Sequence, residues 1–280
     1  MASWAKLVRK HEMSTSRIQP LNREELRRQF REAEPFPFVA IDGFLDLAFA
    51  REVEAAYPDY AEARGRGREF SAVNEKRKVQ ITDESTFPEP VRRLNELLCA
   101  PSFIEDLEYI TGIDNLLYDA ELEGGGMHLT GPRGRLDVHI DFNYVEKRRL
   151  HRRLNILIYL NEGWADEWGG AVELWDKEVQ RCVYSAKPVL NRCVVFATSN
   201  ISFHGVEPVT CPQTTQRMSF AAYYYTKEAP AHWDGTKHST VFRARPYERI
   251  RGHVLMPFQK VRDQFIPSAK RVVKKVLGRS

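Results

Sequence analysis

The sequence has few cysteines and no long apolar run, and both absences narrow the class of protein. Only 4 of the 280 residues are cysteine, at positions 99, 182, 193 and 211, and their spacing is not that of a paired zinc site. So few cysteines argue against structural disulfides. No stretch approaches the roughly 18 to 20 apolar residues that a membrane-spanning helix needs, and the N-terminus lacks the apolar core of a signal peptide. We therefore expect a cytoplasmic protein.

The composition is that of an ordinary globular chain, but its positive charge is concentrated at one end. The chain is 42% hydrophobic and 29% charged, with a net charge of +4. Residues 248–280 contain nine Lys or Arg and two acidic residues, a surplus of +7, so the rest of the chain carries −3. Apolar residues in this tail recur near helical spacing. Such a basic amphipathic helix can pack on its own domain, or it can bind an anionic membrane surface or an acidic partner. We expect no specific nucleic-acid binding, because no strand carries the interleaved aromatic residues which that requires.

Helical periodicity fills the first part of the chain, and short strands fill the second. Helices are predicted over 21–31 and 46–57, and a helical period runs over 89–110 and resumes after Pro101. The glycine-rich charged segment 64–69 is predicted to be a loop. From residue 115 onward, short apolar segments divided by Gly and Pro favour a sandwich or jelly roll. The predicted strands span 117–122, 136–142, 153–160, 171–175, 187–197, 202–209 and 217–226.

Two histidines and one aspartate form the most informative pattern in the chain. His139 and Asp141 lie two residues apart in a predicted strand, so both side chains point to the same face. His204 follows on a later strand. Two imidazoles and a carboxylate on one face of an octahedron are the ligand set of non-haem Fe(II) oxygenases, which keep the remaining positions open. We therefore predict an iron site at these three residues.

Arg217 and Ser219 supply the second part of the prediction. The segment 210–214 contains Pro212 and is typical of a turn, so the chain is expected to fold back and to return Arg217 to the level of His204. Ser219 shares the strand face of Arg217. A buried guanidinium can hold a carboxylate bidentately, and the serine hydroxyl can donate to the same group. A dicarboxylate that chelates iron at one end and meets Arg217 at the other would fit.

Together these residues resemble the Fe(II)/2-oxoglutarate-dependent dioxygenases of the prolyl 4-hydroxylase type. The resemblance extends to Asn155-Ile-Leu-Ile-Tyr-Leu-Asn-Glu-Gly-Trp164 and Gly169-Gly170-Ala-Val-Glu-Leu. It implies a mainly β fold with flanking helices, built on a double-stranded β-helix. It divides the chain into an N-terminal elaboration (1–114), a catalytic core (115–228) and a basic extension (229–280). It also implies that Tyr159, with Asn155 on the same face, helps Arg217 and Ser219 to bind 2-oxoglutarate.

The same resemblance implies a reaction. Fe(II), 2-oxoglutarate and O2 are the expected cofactors, with ascorbate in support, and a C–H bond is hydroxylated with release of succinate and carbon dioxide. The carboxylate of Asp141 favours hydroxylation, because halogenases of this superfamily lack it.

The acceptor substrate is left open by the sequence. A basic segment, 146–153, follows the first two metal ligands and would attract an acidic group. By alternation Arg153 shares the face of Asn155, and we take Arg153 and Asn143 as candidate substrate contacts. The substrate can be a prolyl residue in a peptide, or a small molecule, lipid or glycan headgroup. A different class, a non-catalytic jelly-roll iron sensor, is disfavoured because pure binding needs neither the triad nor Arg-x-Ser.

Overall fold

The computed structural model describes residues 17–231 and 233–248, so the predicted basic helix of the tail lies outside the described residues. Its α-helices are α1 (Arg23–Glu32), α2 (Leu47–Ala55), α3 (Tyr60–Arg66), α4 (Glu89–Cys99) and α5 (Pro101–Thr111). Its strands are β1 (Phe38–Asp42), β2 (Arg68–Ser71), β3 (Glu75–Ile81), β4 (Leu117–Tyr118), β5 (Gly126–Ile140), β6 (Tyr144–Val145), β7 (Leu150–Tyr159), β8 (Val172–Trp175), β9 (Cys182–Ala186), β10 (Arg192–Ala197), β11 (His204–Val206), β12 (Arg217–Thr226) and β13 (Val241–Arg243).

The strands form one antiparallel sheet that folds over into two facing layers. Its main path runs β1-β10-β7-β12-β5-β11-β8-β9. The long strand β5 belongs to both layers, because its first half pairs with β12 and β3 and its second half with β11 and β13. Side chains of β1, β7 and β10 pack against those of β8 and β9 between the layers. This arrangement confirms the predicted mainly β, jelly-roll architecture.

Alternation along β7 shows how the sequence separates the two sides of this sheet. Leu154, Ile156 and Ile158 are fully buried against the helices, in the largest apolar cluster. Asn155 and Leu157, between them, line a cavity inside the fold. The helices therefore cover the outer face of one layer, and the alternate positions of β7 face the cavity between the layers.

Capping side chains, a proline and a glycine set the ends of the helices. The side chains of Asn22, Asp46 and Asp59 each accept a hydrogen bond from the first turn of α1, α2 and α3. The helical period over 89–110, predicted to resume after Pro101, forms two helices, because Pro101 begins α5 after the extended Ala100. Gly112 ends α5 with a φ of 69°, in the left-handed region that favours glycine.

Several predicted boundaries differ from the structure. The charged segment 64–69, predicted to be a loop, forms the end of α3 and the start of the β2–β3 hairpin, which pairs with β5. The strand predicted over 136–142 is only the second half of β5. Strand β9 was not predicted, because its alternation is weak. Strands β1 and β3, from the N-terminal region, and β13, from the C-terminal extension, all join the sheet of the core.

Candidate metal and co-substrate site

The structure brings the three predicted metal ligands together at the end of β5. His204 on β11 lies directly opposite His139 on β5, and Asp141 follows two residues later. Nε2 of His139 is 3.5 Å from Oδ1 of Asp141, and Nε2 of His204 is 3.5 Å from Oδ2. One ligand atom from each residue lies within 4.8 Å of the others, which is the spacing of a metal-binding group.

Hydrogen bonds fix the orientation of both imidazoles. Nδ1 of His139 is 2.9 Å from the carbonyl oxygen of Asp137, and Nδ1 of His204 is 2.9 Å from that of Ser202. A carbonyl only accepts, so Nδ1 carries the proton in each ring and the Nε2 lone pair is directed at the shared point. Burial, followed by the neighbouring His139, lowers the pKa of His204 to about 4. Both the geometry and the protonation of the donors fit a divalent metal.

Two further residues of the cavity wall contact Asp141. Nη2 of Arg152 is 3.1 Å from Oδ2 of Asp141, and Nδ2 of Asn155 donates to the same oxygen at 2.8 Å. Burial alone would raise the pKa of Asp141, but Arg152 and the two histidines hold it well below its usual value. The carboxylate is therefore ionised, as a metal ligand must be. The side chain of Asn155, predicted to contact 2-oxoglutarate, thus also contacts a metal ligand.

Arg217 is a buried cation, and no carboxylate in the described part of the chain forms an ion pair with it. It is 3% exposed, its Nε donates to the carbonyl of Gly170 at 2.6 Å, and its Nη1 is 3.4 Å from Oγ of Ser219. Burial lowers its pKa, and no carboxylate of the described residues forms an ion pair with it. Such a guanidinium is costly unless a ligand anion meets it.

Tyr159 lies on β7 opposite Ser219 of β12 and contacts Arg217. Its ring lies beneath the Arg217 guanidinium, with Cζ 5.0 Å from the ring centroid, and its hydroxyl is buried without a hydrogen-bond partner among the described residues. Burial raises its pKa to about 12, so the hydroxyl keeps its proton and can donate. An orphaned donor beside an unpaired cation is a suitable receptor for a carboxylate.

Arg217 was predicted to lie at the level of His204 along the strands, and the structure differs. Arg217 pairs with Thr130 on the first half of β5, whereas His204 pairs with His139 on the second half. The two residues are therefore separated along β5 and face the same cavity from different places. That separation suits a ligand that spans the distance between the metal and the cation.

A β-bulge changes which arginine of β7 enters the cavity. Opposite β12, Leu154 pairs with Tyr224 and Arg152 pairs with Tyr225, so Arg153 is the extra residue. Arg152 thereby joins Asn155 in the cavity wall, and the guanidinium of Arg153 instead donates to Oγ1 of Thr226 at 3.0 Å. The expectation that Arg153 shares the face of Asn155 is corrected by this bulge.

Residues after the core also shape the site. Asn143 exchanges hydrogen bonds with Thr236 and His238, so its side chain braces the C-terminal segment outside the cavity wall. In β13, Phe242 lies opposite His139, with ring centroids 5.3 Å apart, and lines the cavity. Arg245 is fully buried and forms ion pairs with Glu173 and Asp137, the residue whose carbonyl orients His139. The segment that follows the core thus supports the metal ligands.

The cavity that joins these groups has a volume of about 410 Å³. This is within the usual range of small-molecule sites, roughly 300 to 1,000 Å³. Sequence reasoning missed several of its wall residues. His128 of β5 lies opposite Ser219 of β12 and lines the cavity. Phe70, Lys78 and Gln80 enter from the β2–β3 hairpin, whose charged sequence showed no alternation of apolar residues.

Fold and site together define a jelly-roll protein with a two-histidine, one-carboxylate centre. A model of the 2OG-Fe(II) oxygenase superfamily matches residues 125–225. The matched segment contains the three metal ligands, Arg217 and Ser219, and it is similar to that superfamily, as the motifs predicted. The family uses Fe(II), 2-oxoglutarate and O2.

Individual proteins are similar to parts of this chain. A prolyl 3-hydroxylase of Mus musculus, OGFOD1, is 32% identical over 78 residues, which are 26% of this chain and 14% of the mouse protein's length. Two solved structures share the fold. A Trichoplax adhaerens prolyl hydroxylase has a TM-score of 0.53 at 19% identity, over 73% of this chain and 91% of its own. A Pseudomonas putida prolyl-4-hydroxylase has a TM-score of 0.50 at 17% identity, over 72% and 98%.

The described helices carry no apolar stretch long enough to cross a bilayer.

Proposed function

We propose that this protein is an Fe(II)- and 2-oxoglutarate-dependent dioxygenase that hydroxylates an unactivated C–H bond and releases succinate and carbon dioxide. One observation carries the proposal. The cavity that contains three converged metal ligands also contains Arg217, a buried cation without a carboxylate partner among the described residues. A pure binding module would need neither feature, and an iron sensor would need the metal ligands but not the unpaired cation.

The residues of the chain have separate tasks in this reaction. His139, Asp141 and His204 would hold iron and leave the other coordination positions open. Arg217, with Ser219 and Tyr159, would hold the distal carboxylate of 2-oxoglutarate and so orient its keto acid end toward the metal. The iron centre would supply the oxidising chemistry that converts 2-oxoglutarate to succinate. The protein contributes position and the exclusion of water by the apolar walls around these groups.

The acceptor is a separate part of the proposal, because the curated relative is matched over only 14% of its length. The comparisons favour a prolyl residue, since the named relatives are prolyl hydroxylases. The same chemistry on a small molecule, a lipid or a glycan headgroup is the second candidate, favoured by a cavity that Phe242 and the β2–β3 hairpin enclose on two sides. A cytoplasmic location, and attachment of the basic tail to an anionic membrane or acidic partner, belong to this proposal too.

Turnover of 2-oxoglutarate without an acceptor tests the reaction class. Purified protein with Fe(II), ascorbate and 2-oxoglutarate should form succinate above the rate of an Asp141→Ala variant. Equal rates from the two proteins, with iron bound to the parent, would exclude the dioxygenase. Mass spectrometry of a cell extract incubated with the same components should then reveal an acceptor that has gained one oxygen.

A further inference from the structure

Arg152 is a second buried cation in the cavity wall, and it lies next to the metal ligands. It is 3% exposed. Its Nε and Nη2 donate to Oδ1 of Asn155 at 3.0 and 2.8 Å, and Nη2 approaches Asp141. Its guanidinium also lies 3.7 Å from the ring centroid of Tyr223 and 4.8 Å from that of Phe142. These contacts hold the group rigidly at the edge of the site.

The charges of the inner site do not balance once it is loaded. Asp141, Arg152 and Arg217 together carry one positive charge. A ferrous ion and the 2-oxoglutarate dianion cancel each other, so that positive charge persists among side chains that are at most 13% exposed. An isolated buried charge costs several kcal/mol, and proteins normally pair it. One further anionic group would remove the imbalance.

Other charged groups of the wall do not provide that anion. Lys78 forms an ion pair with Glu75 at 2.9 Å. Arg135 is paired with Glu248 at 2.7 Å and with Asp137. The remaining cation, Arg68, lies at the exposed rim on the β2–β3 hairpin. The wall of the cavity therefore has a surplus of cations, and Arg152 is the one of these nearest to the metal ligands.

We propose that the acceptor substrate carries a carboxylate, and that Arg152 receives it beside the metal ligands. The proposal rests on the proposed function and names the substrate class for the same site. A guanidinium has five donors, and the contacts with Asn155 and Asp141 use only Nε and Nη2, so the Nη1 edge can serve a ligand. Apolar walls from Phe142, Leu157 and Phe242 would receive the aliphatic part of the substrate, where the C–H bond lies.

Acetate and acetamide are the matched probes, because they have the same shape and differ in charge. Protein loaded with Mn(II) and 2-oxoglutarate, which binds without turnover, is titrated with each probe and its melting temperature is recorded. Acetate should stabilise the parent and acetamide should not. Arg152→Met should weaken acetate binding about tenfold or more, the usual effect of losing a charge-assisted hydrogen bond. Arg153→Met is the matched control, since this neighbouring arginine faces away from the cavity, and it should bind acetate as the parent does.

Each outcome has a defined meaning. Equal effects of acetate and acetamide on the parent overturn the proposal whether or not any variant folds. Acetate binding that survives Arg152→Met shows that acetate binds the metal or Arg68, and also overturns it. Arg152→Lys keeps the charge and should retain the preference for acetate. A parent that binds neither Mn(II) nor 2-oxoglutarate would instead refute the proposed function, and with it this inference.

Substrate-stimulated succinate release separates the two sources of such a carboxylate. A panel of free N-acetylated amino acids tests small molecules, and an acidic peptide with an amidated C-terminus tests side-chain carboxylates. Stimulation by either panel, reduced by Arg152→Met, supports the proposal and identifies the source. Equal or greater stimulation by the corresponding neutral amides would contradict it.

Discussion

Replacing Arg217 with Met should separate the binding of 2-oxoglutarate from the binding of metal. The guanidinium is 3% exposed and has no carboxylate partner among the described residues, so its removal leaves no acid unpaired. The apo protein loses the hydrogen bonds to Gly170 and Ser219 and the contact with the Tyr159 ring, and its unfolding free energy should fall by about 1 to 2 kcal/mol. Relief of the buried charge offsets part of that loss.

The effect on the co-substrate should be much larger. Truncating one partner of a buried charge pair costs about 2 to 5 kcal/mol, which is roughly 30-fold or more in affinity. Anaerobic titration of the Fe(II)-loaded protein, followed by its iron-to-ligand charge-transfer absorption, measures this affinity. Arg217→Lys keeps the charge without the fork and should recover part of the loss. Arg153→Met, a substitution outside the cavity, should leave the affinity unchanged. An Arg217→Met variant that binds 2-oxoglutarate as tightly as the parent would show that Arg217 serves another group.

The same geometry leads to four further expectations. Gly170→Ala should weaken 2-oxoglutarate binding and not metal binding, because residue 170 has a φ of +75° and an added Cβ would lie 3.0 Å from Cδ of Arg217; equal affinities for parent and variant would refute the contact. Mn(II) at about 100 times its Kd should stabilise the parent by about 2.7 kcal/mol, or about 5 to 10 °C, and should not stabilise Asp141→Ala. Mn(II) binding should persist to about pH 5, because the pKa of His204 is lowered to about 4. A midpoint of Mn(II) binding near pH 6.5 would contradict this expectation. The buried neutral ring of His204 also contributes folding stability that is present above pH 6.5 and lost as the pH falls through 4. Deleting 267–280 should leave succinate formation intact and reduce sedimentation with anionic vesicles, whereas unchanged sedimentation would favour a tail that packs on its own domain.

The metal ligands could be predicted from sequence because their signal is local. His139 and Asp141 need only the period of two along one strand, and that period holds up to the end of β5. His204 and Arg217 were found by their order and spacing along the chain. The strand β12 was predicted with the bounds that the structure shows, because its residues form a continuous strand-like run after the turn at 210–214.

The parts of the site that were not predicted depend on contacts that no local pattern encodes. The bulge at Arg153 is created by pairing between β7 and β12, and it reverses the alternation for Arg152. The β2–β3 hairpin is charged because one of its faces meets the cavity and the solvent. Phe242 and Arg245 reach the site from beyond the predicted core, through pairing with β5 and a buried ionic network.

The central claim is that one cavity holds iron and 2-oxoglutarate for a reaction that releases succinate, and stoichiometric turnover tests it most directly. Protein with one equivalent of Fe(II), ascorbate and radiolabelled 2-oxoglutarate is exposed to oxygen, and succinate and carbon dioxide are counted. Equal amounts of the two products should form, and formation should be lost in His204→Ala and strongly reduced in Arg217→Met. A parent protein that binds both Fe(II) and 2-oxoglutarate yet forms no more succinate than His204→Ala would contradict the account.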